Sequence, residues 1–417
     1  MYNSGRSVTV KLKELTILEF KNFVKSSPLS SYMQSEEYAR FMSDYHFDYD
    51  YIGLVDENDK VVAASLILFK KIGLNFKYGY APKGFLIDYY DKMLLNTFLT
   101  LIKKRYSKMG LAFIKINPEI VVGEIDSKTY ELTLNTNYNL KNELSKTGFI
   151  KLKDNVYFES INPRFNAYVE LKKSSIKNYS KTNRNKVRNS IRKGLYLEKV
   201  SLDNVDVFYK LLQTNQSITY YKRLFDNLRK NNSVELYFVK VNFEKMIKNC
   251  QNLYDQELEK NNLYNEILHR SRREEDLNRK MQSDTVLCNI KNDIVRGTDG
   301  LRNYNNKIVA GALVVKNGNR VNIIESGYDK DFSYLNQNYF LYHALIEHYK
   351  KRFDYLDLGG VSGNFKHDCP YRGLNRFKLG FNPKIYEYIG EFDFIINKAG
   401  YDLLLSSGKL AKEFNKK

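Results

Sequence analysis

An internal echo restricts this chain's folding options more than any other feature. Asp59-Lys60-Val61-Val62-Ala63-Ala64-Ser65-Leu66-Ile67-Leu68 matches Asn306-Lys307-Ile308-Val309-Ala310-Gly311-Ala312-Leu313-Val314-Val315, a polar turn leading into an apolar, β-prone run. Each copy continues with a second strand-like segment, a long helical pattern and a short apolar strand. In the first copy the helix is expected over 92–108 and the strand over 111–116; in the second, over 336–352 and 353–358. Two copies of strand–strand–helix–strand imply a duplicated mixed α/β unit, one per domain. A length of 417 residues also exceeds one ordinary core. The expected division is 1–150 and 151–417.

The second unit is interrupted. From Asn242 to Arg296 there is neither Pro nor Gly, and Phe243, Met246, Cys250, Leu253, Leu258, Leu268, Leu277, Met281, Leu287, Ile290 and Ile294 recur at mostly helical spacing. Glu, Lys, Asn and Arg fill the positions between. This pattern predicts an antiparallel helical hairpin over 242–295, turning near 269–276 and projecting from the second domain as an arm. A spacer or dimer contact and a role in binding RNA are both open for it.

Several classes are set aside by composition. No window approaches eighteen apolar residues, so no membrane-spanning helix is expected. The start, Met1-Tyr2-Asn3-Ser4-Gly5-Arg6, has no apolar core behind it and does not read as a signal peptide. The three cysteines, Cys250, Cys288 and Cys369, are widely spaced, which fits a reducing cytoplasm and argues against a structural metal. His343 and His348, five apart, do not share a helix face, and no zinc site is expected.

The net charge of +19 points to a polyanionic partner. The charge is concentrated: no acid falls between Glu170 and Glu198, while nine cations do. A helix is predicted over 175–193, stopped by Gly194. Ile176, Ser180, Asn183, Val187 and Ile191 form one face, and Lys177, Lys181, Arg184, Arg188 and Arg192 form the neighbouring one. Solvated faces normally interleave acids for pairing; five unrelieved cations are a phosphate-contacting footprint.

Ligand sites in α/β folds form where strands end in glycine-rich turns. The run Phe353-Asp354-Tyr355-Leu356-Asp357-Leu358 leads directly into Gly359-Gly360-Val361-Ser362-Gly363-Asn364-Phe365, so chemistry is expected there. The segment fits neither the P-loop pattern nor a dinucleotide fingerprint.

Six stretches, making up four motifs, carry a family resemblance. Gly360-Val361-Ser362-Gly363, Arg376-Phe377-Lys378-Leu379-Gly380-Phe381 and Glu387-Tyr388-Ile389-Gly390-Glu391-Phe392 close the chain. Tyr80-Ala81-Pro82-Lys83-Gly84-Phe85-Leu86-Ile87-Asp88-Tyr89, the basic run Lys181 to Gly194 and the opening Tyr32-Met33-Gln34-Ser35 precede them in order. This wording resembles the Fem family of aminoacyl-tRNA-dependent peptidoglycan transferases, with Lys83 in place of the family's usual arginine and Phe85 in place of its proline. The resemblance implies two tandem acetyltransferase-like (GNAT-type) domains, α/β in class, with an inserted coiled-coil arm. It implies an enzyme that transfers an amino acid from aminoacyl-tRNA to an amino group on the stem peptide or growing bridge of a peptidoglycan precursor. That acceptor is lipid-linked or UDP-linked muramyl-pentapeptide. The implied setting is the cytoplasm, with peripheral contact at the inner face of the plasma membrane.

An aminoacyl ester is already activated, so aminoacyl-tRNA serves as co-substrate and neither cofactor nor metal is expected. Two anionic substrates must be positioned and an oxyanion stabilised. By the resemblance Lys378 stabilises the oxyanion or a terminal phosphate, and Phe377 packs on the terminal adenosine or shapes the acceptor pocket. Asp88 is placed near the acceptor as a catalytic carboxylate, with a turn-capping role as the alternative. Tyr80, Lys83, Arg184, Arg188, Arg376 and Asp393 are the expected substrate-binding residues, and Lys177, Lys181 and Arg192 the expected tRNA contacts. A coenzyme A-dependent N-acyltransferase and a non-catalytic RNA- or membrane-binding protein are the alternatives. The first would want a basic glycine loop, which 73–86 and 327–336 lack.

Overall fold

A computed structural model describes residues 9–73, 76–155, 161–231, 233–271 and 273–414. The N-terminal residues weighed as a signal peptide lie outside these. The chain begins β1 (Lys11–Glu14), α1 (Ile17–Ser26), α2 (Glu36–Ser43), β2 (Asp48–Val55), β3 (Val61–Ile72), β4 (Phe76–Ala81), α3 (Lys92–Lys108), β5 (Leu111–Ile116), β6 (Val121–Ile125), β7 (Leu132–Leu134), α4 (Leu140–Ser145) and β8 (Phe149–Lys151). It continues with β9 (Phe165–Glu170), α5 (Lys181–Arg192), β10 (Leu195–Val200), α6 (Val205–Leu211), α7 (Ile218–Leu228), β11 (Val234–Val241), α8 (Phe243–Arg270) and α9 (Glu274–Asn303). It ends with β12 (Ile308–Asn317), β13 (Arg320–Tyr328), α10 (Gln337–Tyr349), β14 (Tyr355–Val361), α11 (Arg372–Leu379), β15 (Lys384–Tyr388), β16 (Phe392–Ile395), α12 (Lys398–Ser406) and α13 (Lys409–Phe414).

The echo is structural. β3 pairs antiparallel with β4, which runs parallel to β5; β12 pairs antiparallel with β13, which runs parallel to β14. Parallel neighbours require a crossover, supplied by α3 in one copy and α10 in the other. Both helices bury their apolar face in a core of their own, α3 through Phe98, Leu99 and Ile102, α10 through Leu341, Leu345 and Ile346.

The two sheets do not divide at residue 150. The first has the order β1-β2-β3-β4-β5-β16-β8, the second β10-β11-β12-β13-β14-β9-β15-β6-β7. β6 and β7 thus leave the first half to extend the second sheet, and β16 returns from the C-terminus to sit between β5 and β8. Each exchange closes an edge that a self-contained domain would leave unpaired. A third core, built from α1, α2, α6 and α7, packs the two halves together, with the Phe41 and Tyr220 rings 5.1 Å apart edge to face.

Two element boundaries and one helix face differ from expectation. The basic helix begins at Lys181 rather than Ser175, because Ser180 caps it: its Oγ accepts the Asn183 N–H and its own N–H donates to Gly380 O. Ile191, expected inside, is exposed, and Ser190 lies buried beside Asn183 and Val187. The arm extends to Asn303, through Gly297 and Gly300. A Cβ at Gly300 would lie 2.3 Å from the Phe243 ring, so these glycines are the close crossing point of two helices rather than helix breakers. Among the described residues no helix is long and apolar enough to cross a membrane.

Candidate active site

β13 and β14 pair over only three residues, Arg320–Asn322 with Tyr355–Asp357, and part beyond them. The expected glycine turn is not a turn after the strand. Gly359 and Gly360 lie within β14, where its register against β9 breaks between Asp357 and Gly360, and Gly359 takes φ +81°. A left-handed residue suits that break, and the pairing resumes at Gly360 opposite Asn166. Lys378, on α11, donates to the Gly360 carbonyl at 2.8 Å. Its ammonium would lie 3.3 Å from a Cβ at Gly359, so a side chain there would crowd it.

Lys378 is buried, and burial lowers its pKa to about 8 against an opposing pull from Asp357. Asp357 is also buried; burial raises its pKa, while the Gly359 N–H at 2.7 Å and Asn166 Nδ2 at 3.1 Å hold its two oxygens. Beside Lys378 on the same helix, Phe377 is half-buried, its ring edge-on to Tyr342 at 4.8 Å and to Tyr339 at 4.9 Å. Part of it is core, and part remains open. Arg376, the third member of the motif, is exposed.

Asp357 shares the sheet face of Tyr355 and Tyr168, which help line a cleft of about 540 Å³ with Glu119, Arg320, Tyr386 and Tyr388. Lys83 approaches this face from the loop after β4. It has φ +55°, its N–H donates to Asn117 Oδ1 at 2.9 Å, and its ammonium sits 3.5 Å from Glu119 and 5.6 Å over the Tyr388 ring. Arg320 binds the other Glu119 oxygen at 3.0 Å. Burial works to raise the pKa of Glu119, but Lys83 and Arg320 outweigh it and hold the carboxyl below its ordinary range. Tyr80 is buried nearby, its hydroxyl receiving Asn162 Nδ2 at 3.1 Å. Lys83 thus reaches the edge of the cleft through Glu119 and Tyr388, which line it, while Tyr80 stays buried behind Asn117.

The basic helix is docked on the helix that carries Lys378. Asn183 Nδ2 donates to Phe377 O at 2.9 Å, and a Cβ at Gly380 would lie 2.2 Å from Asn183 Oδ1, so only glycine admits the contact. Lys186 donates to Tyr339 OH at 3.1 Å, and Tyr339 in turn packs on Phe377. Lys177, Lys181, Arg188 and Arg192 are exposed, and among the described residues none of these four, nor Arg184, has an acidic partner. Arg188 and Arg192 line an open groove of about 710 Å³ along the helix. Arg184 is partly turned back, donating to Lys177 O at 3.2 Å. Lys193 is different: it is buried, bound to Asp293 of α9 at 2.8 Å and to Tyr334 O at 3.0 Å, and fastens the arm to the basic helix.

Two expected site residues fall elsewhere. Asp88 is exposed and its Oδ1 accepts the Tyr90 N–H at 2.9 Å, the turn-capping alternative. Asp393 is buried in the first sheet, 2.9 Å from Lys115 and 3.0 Å from Tyr401 OH, so it is consumed by an internal ion pair and presents nothing to a substrate. Conversely, Asp357, Glu119 and Arg320 were not singled out from sequence. Asp357 carried a signal, a carboxylate inside the apolar run Tyr355-Leu356-Asp357-Leu358; Glu119 and Arg320 carried none, because 201 positions separate them along the chain. Among the described residues no group of three His, Cys, Asp or Glu is placed to hold a metal ion.

With this geometry in hand, comparison with known proteins is informative. The model of the FemAB family matches residues 15–406. Lipid II:glycine glycyltransferase of Staphylococcus haemolyticus is 26% identical over 411 residues, spanning 94% of each chain. The Staphylococcus saprophyticus protein of the same name is 23% identical over 397 residues, spanning 92% of each. Among solved structures, the crystal structure of FemX superposes with a TM-score of 0.72 at 20% identity, covering 94% of this chain and 99% of that one, a likeness of fold.

Proposed function

The chain belongs to the FemAB family, and on that premise we propose that it is an aminoacyltransferase of peptidoglycan bridge synthesis. It takes an amino acid from aminoacyl-tRNA and forms an amide with an amino group on a lipid-linked precursor. The observation that carries this reading is the end-to-end match to two Lipid II:glycine glycyltransferases, 94% and 92% of both chains. The buried Lys378 and the unrelieved basic helix docked beside it support the chemistry.

The donor ester needs no further activation, so the site's work is positioning and charge stabilisation. As the acceptor amine adds to the ester carbonyl, negative charge develops on the carbonyl oxygen. An ammonium already desolvated at Lys378 strengthens its interaction with that oxygen and needs little reorganisation. Phe377 offers a partly open ring edge for the terminal adenosine. The α5 stripe, Lys177, Lys181, Arg184, Arg188 and Arg192, takes the tRNA backbone, and the exposed Arg376 on α11 adds a further cation. Lys83 and Arg320 face the acceptor at the cleft, where a substrate carboxylate or phosphate competes with Glu119 for the two cations, and the buried Tyr80 supports Lys83 through Asn117. A precursor on a lipid anchor brings the protein to the inner membrane face as a peripheral partner.

Incubation with lipid-linked muramyl-pentapeptide and a mixed pool of charged tRNA tests this. The expected product is heavier by one amino-acid residue, is lost on ribonuclease treatment and identifies the donor by its mass. No mass gain with either lipid-linked or nucleotide-linked precursor overturns the proposal.

A further inference from the structure

Amide formation from an amine and an ester also requires a proton to leave the attacking nitrogen and one to reach the departing ribose oxygen. Lys378 cannot do the first while it serves as a cation. We propose that Asp357 is the group that carries this proton; the inference rests on the aminoacyl-transfer reading above. Three observations bear on it. Asp357 lies at the end of the β13–β14 pairing, two residues before the glycine pair that seats Lys378, so both groups sit where the two strands part. It makes no ion pair within 4 Å among the described residues, unlike Glu119, which is neutralised by Lys83 and Arg320. It stands directly across from Tyr168 and on the same sheet face as Tyr355, both of which line the cleft, so it lies next to the space an amine would enter.

A buried carboxylate with a lone hydrogen bond to each oxygen is a base of raised affinity for protons, and burial does push the Asp357 carboxyl up. Titratable groups coupled to it from the surrounding elements are Lys378 on α11, Glu119 after β5, the phenols of Tyr168 on β9, Tyr342 on α10 and Tyr388 on β15, and Tyr32 before α2. Only Lys378 among these opposes the rise. Two groups of one site, pushed in opposite directions toward neutrality, are the arrangement that divides acid from base work.

The neutral amine's lone pair forms the new C–N bond as the carbonyl π pair moves to oxygen, which Lys378 holds. Asp357 takes a proton from the now cationic nitrogen. The tetrahedral species collapses, the C–O bond to the ribose breaks, and Asp357 returns that proton to the departing oxygen. The products are an amide and a free tRNA hydroxyl, with Asp357 ionised again.

The test compares wild type, Asp357→Asn and Asp357→Glu with charged tRNA and lipid-linked precursor across pH 6–9.5. Asn keeps the acceptor oxygen for the Gly359 N–H but has no basicity. The expected result is a fall in kcat of about 10²–10⁴ for Asp357→Asn at pH 7, KM for charged tRNA unchanged, and activity climbing with pH as the acceptor deprotonates to solvent, until Lys378 begins to lose its own proton near pH 8. Asp357→Glu should retain a wild-type-shaped profile at reduced rate. A merely structural Asp357 would lower activity by the same factor at every pH in both variants, or raise KM alone, and either result overturns the inference. If Asp357→Asn does not fold by circular dichroism, the Asp357→Glu profile decides. Wild-type inactivity on every precursor would instead overturn the aminoacyl-transfer reading itself.

Discussion

Lys378 is held against its preference for water. Its pKa of about 8, against an ordinary 10.5, means that the folded chain binds fewer protons than the unfolded chain between those values. Stability therefore rises with pH through that window, and below pH 8 the buried ammonium is a net cost. Function explains why such a residue persists, since sites that need a desolvated charge sacrifice stability for it. Lys378→Met should lose about 10²–10³ in kcat while melting at a higher temperature than wild type at pH 7. The gain, at most about 3 kcal/mol and reduced by the lost hydrogen bond to Gly360, should shrink toward zero above pH 10. A variant that is inactive and also destabilised at pH 7 would show that Lys378 is chiefly a structural tie. Wild type should lose activity above pH 8 as Lys378 deprotonates, and Lys378→Arg, which keeps its cation, should remove that loss.

The element that matters most to the partner is α5. Its stripe and its docking are separable, because Asn183, Val187 and Ser190 hold the helix while Arg188 and Arg192 face out. Arg188→Glu with Arg192→Glu should thus leave the fold and the acceptor KM intact and weaken tRNA binding. Each lost phosphate contact should lower the salt dependence of binding by about 0.7–0.9 in log–log slope, read by filter binding between 50 and 300 mM salt. An unchanged slope would remove the stripe from the tRNA interface. The stripe itself was legible, because a run of cations without acids is a local property. Where the helix starts was not. Ser180 is a good cap in any context, but it ends the preceding turn here because Gly380, 200 positions on, accepts its N–H. Likewise the arm was readable from its missing Pro and Gly, but its true end was hidden: Gly297 and Gly300 look like breakers until Ile247 is found against the first and Phe243 against the second.

At the scale of the whole molecule, the two halves are stitched by exchanged strands. β16 completes the first sheet from the far end of the chain, and β6 with β7 completes the second from the near end. Neither half closes its sheet alone, so calorimetry should give one cooperative transition rather than two, and Phe394→Ala, which opens a space beside β5 and β8, should shift that transition as a unit. The truncation costs about 3–5 kcal/mol. Two resolved transitions, only one of them moved by the substitution, would show that the halves fold independently.

By itself the sequence determined the duplication, the arm, the basic stripe and the motif around Lys378, because each is written in local periodicity, local charge or a contiguous run of residues. Only the tertiary structure decided which strands each sheet contains, that Asp88 caps a turn, that Asp393 is spent on Lys115, and that Asp357 stands beside Lys378. Those outcomes depend on partners distant in sequence and on burial, which sets whether a carboxylate is solvated, neutralised or left poised as a base.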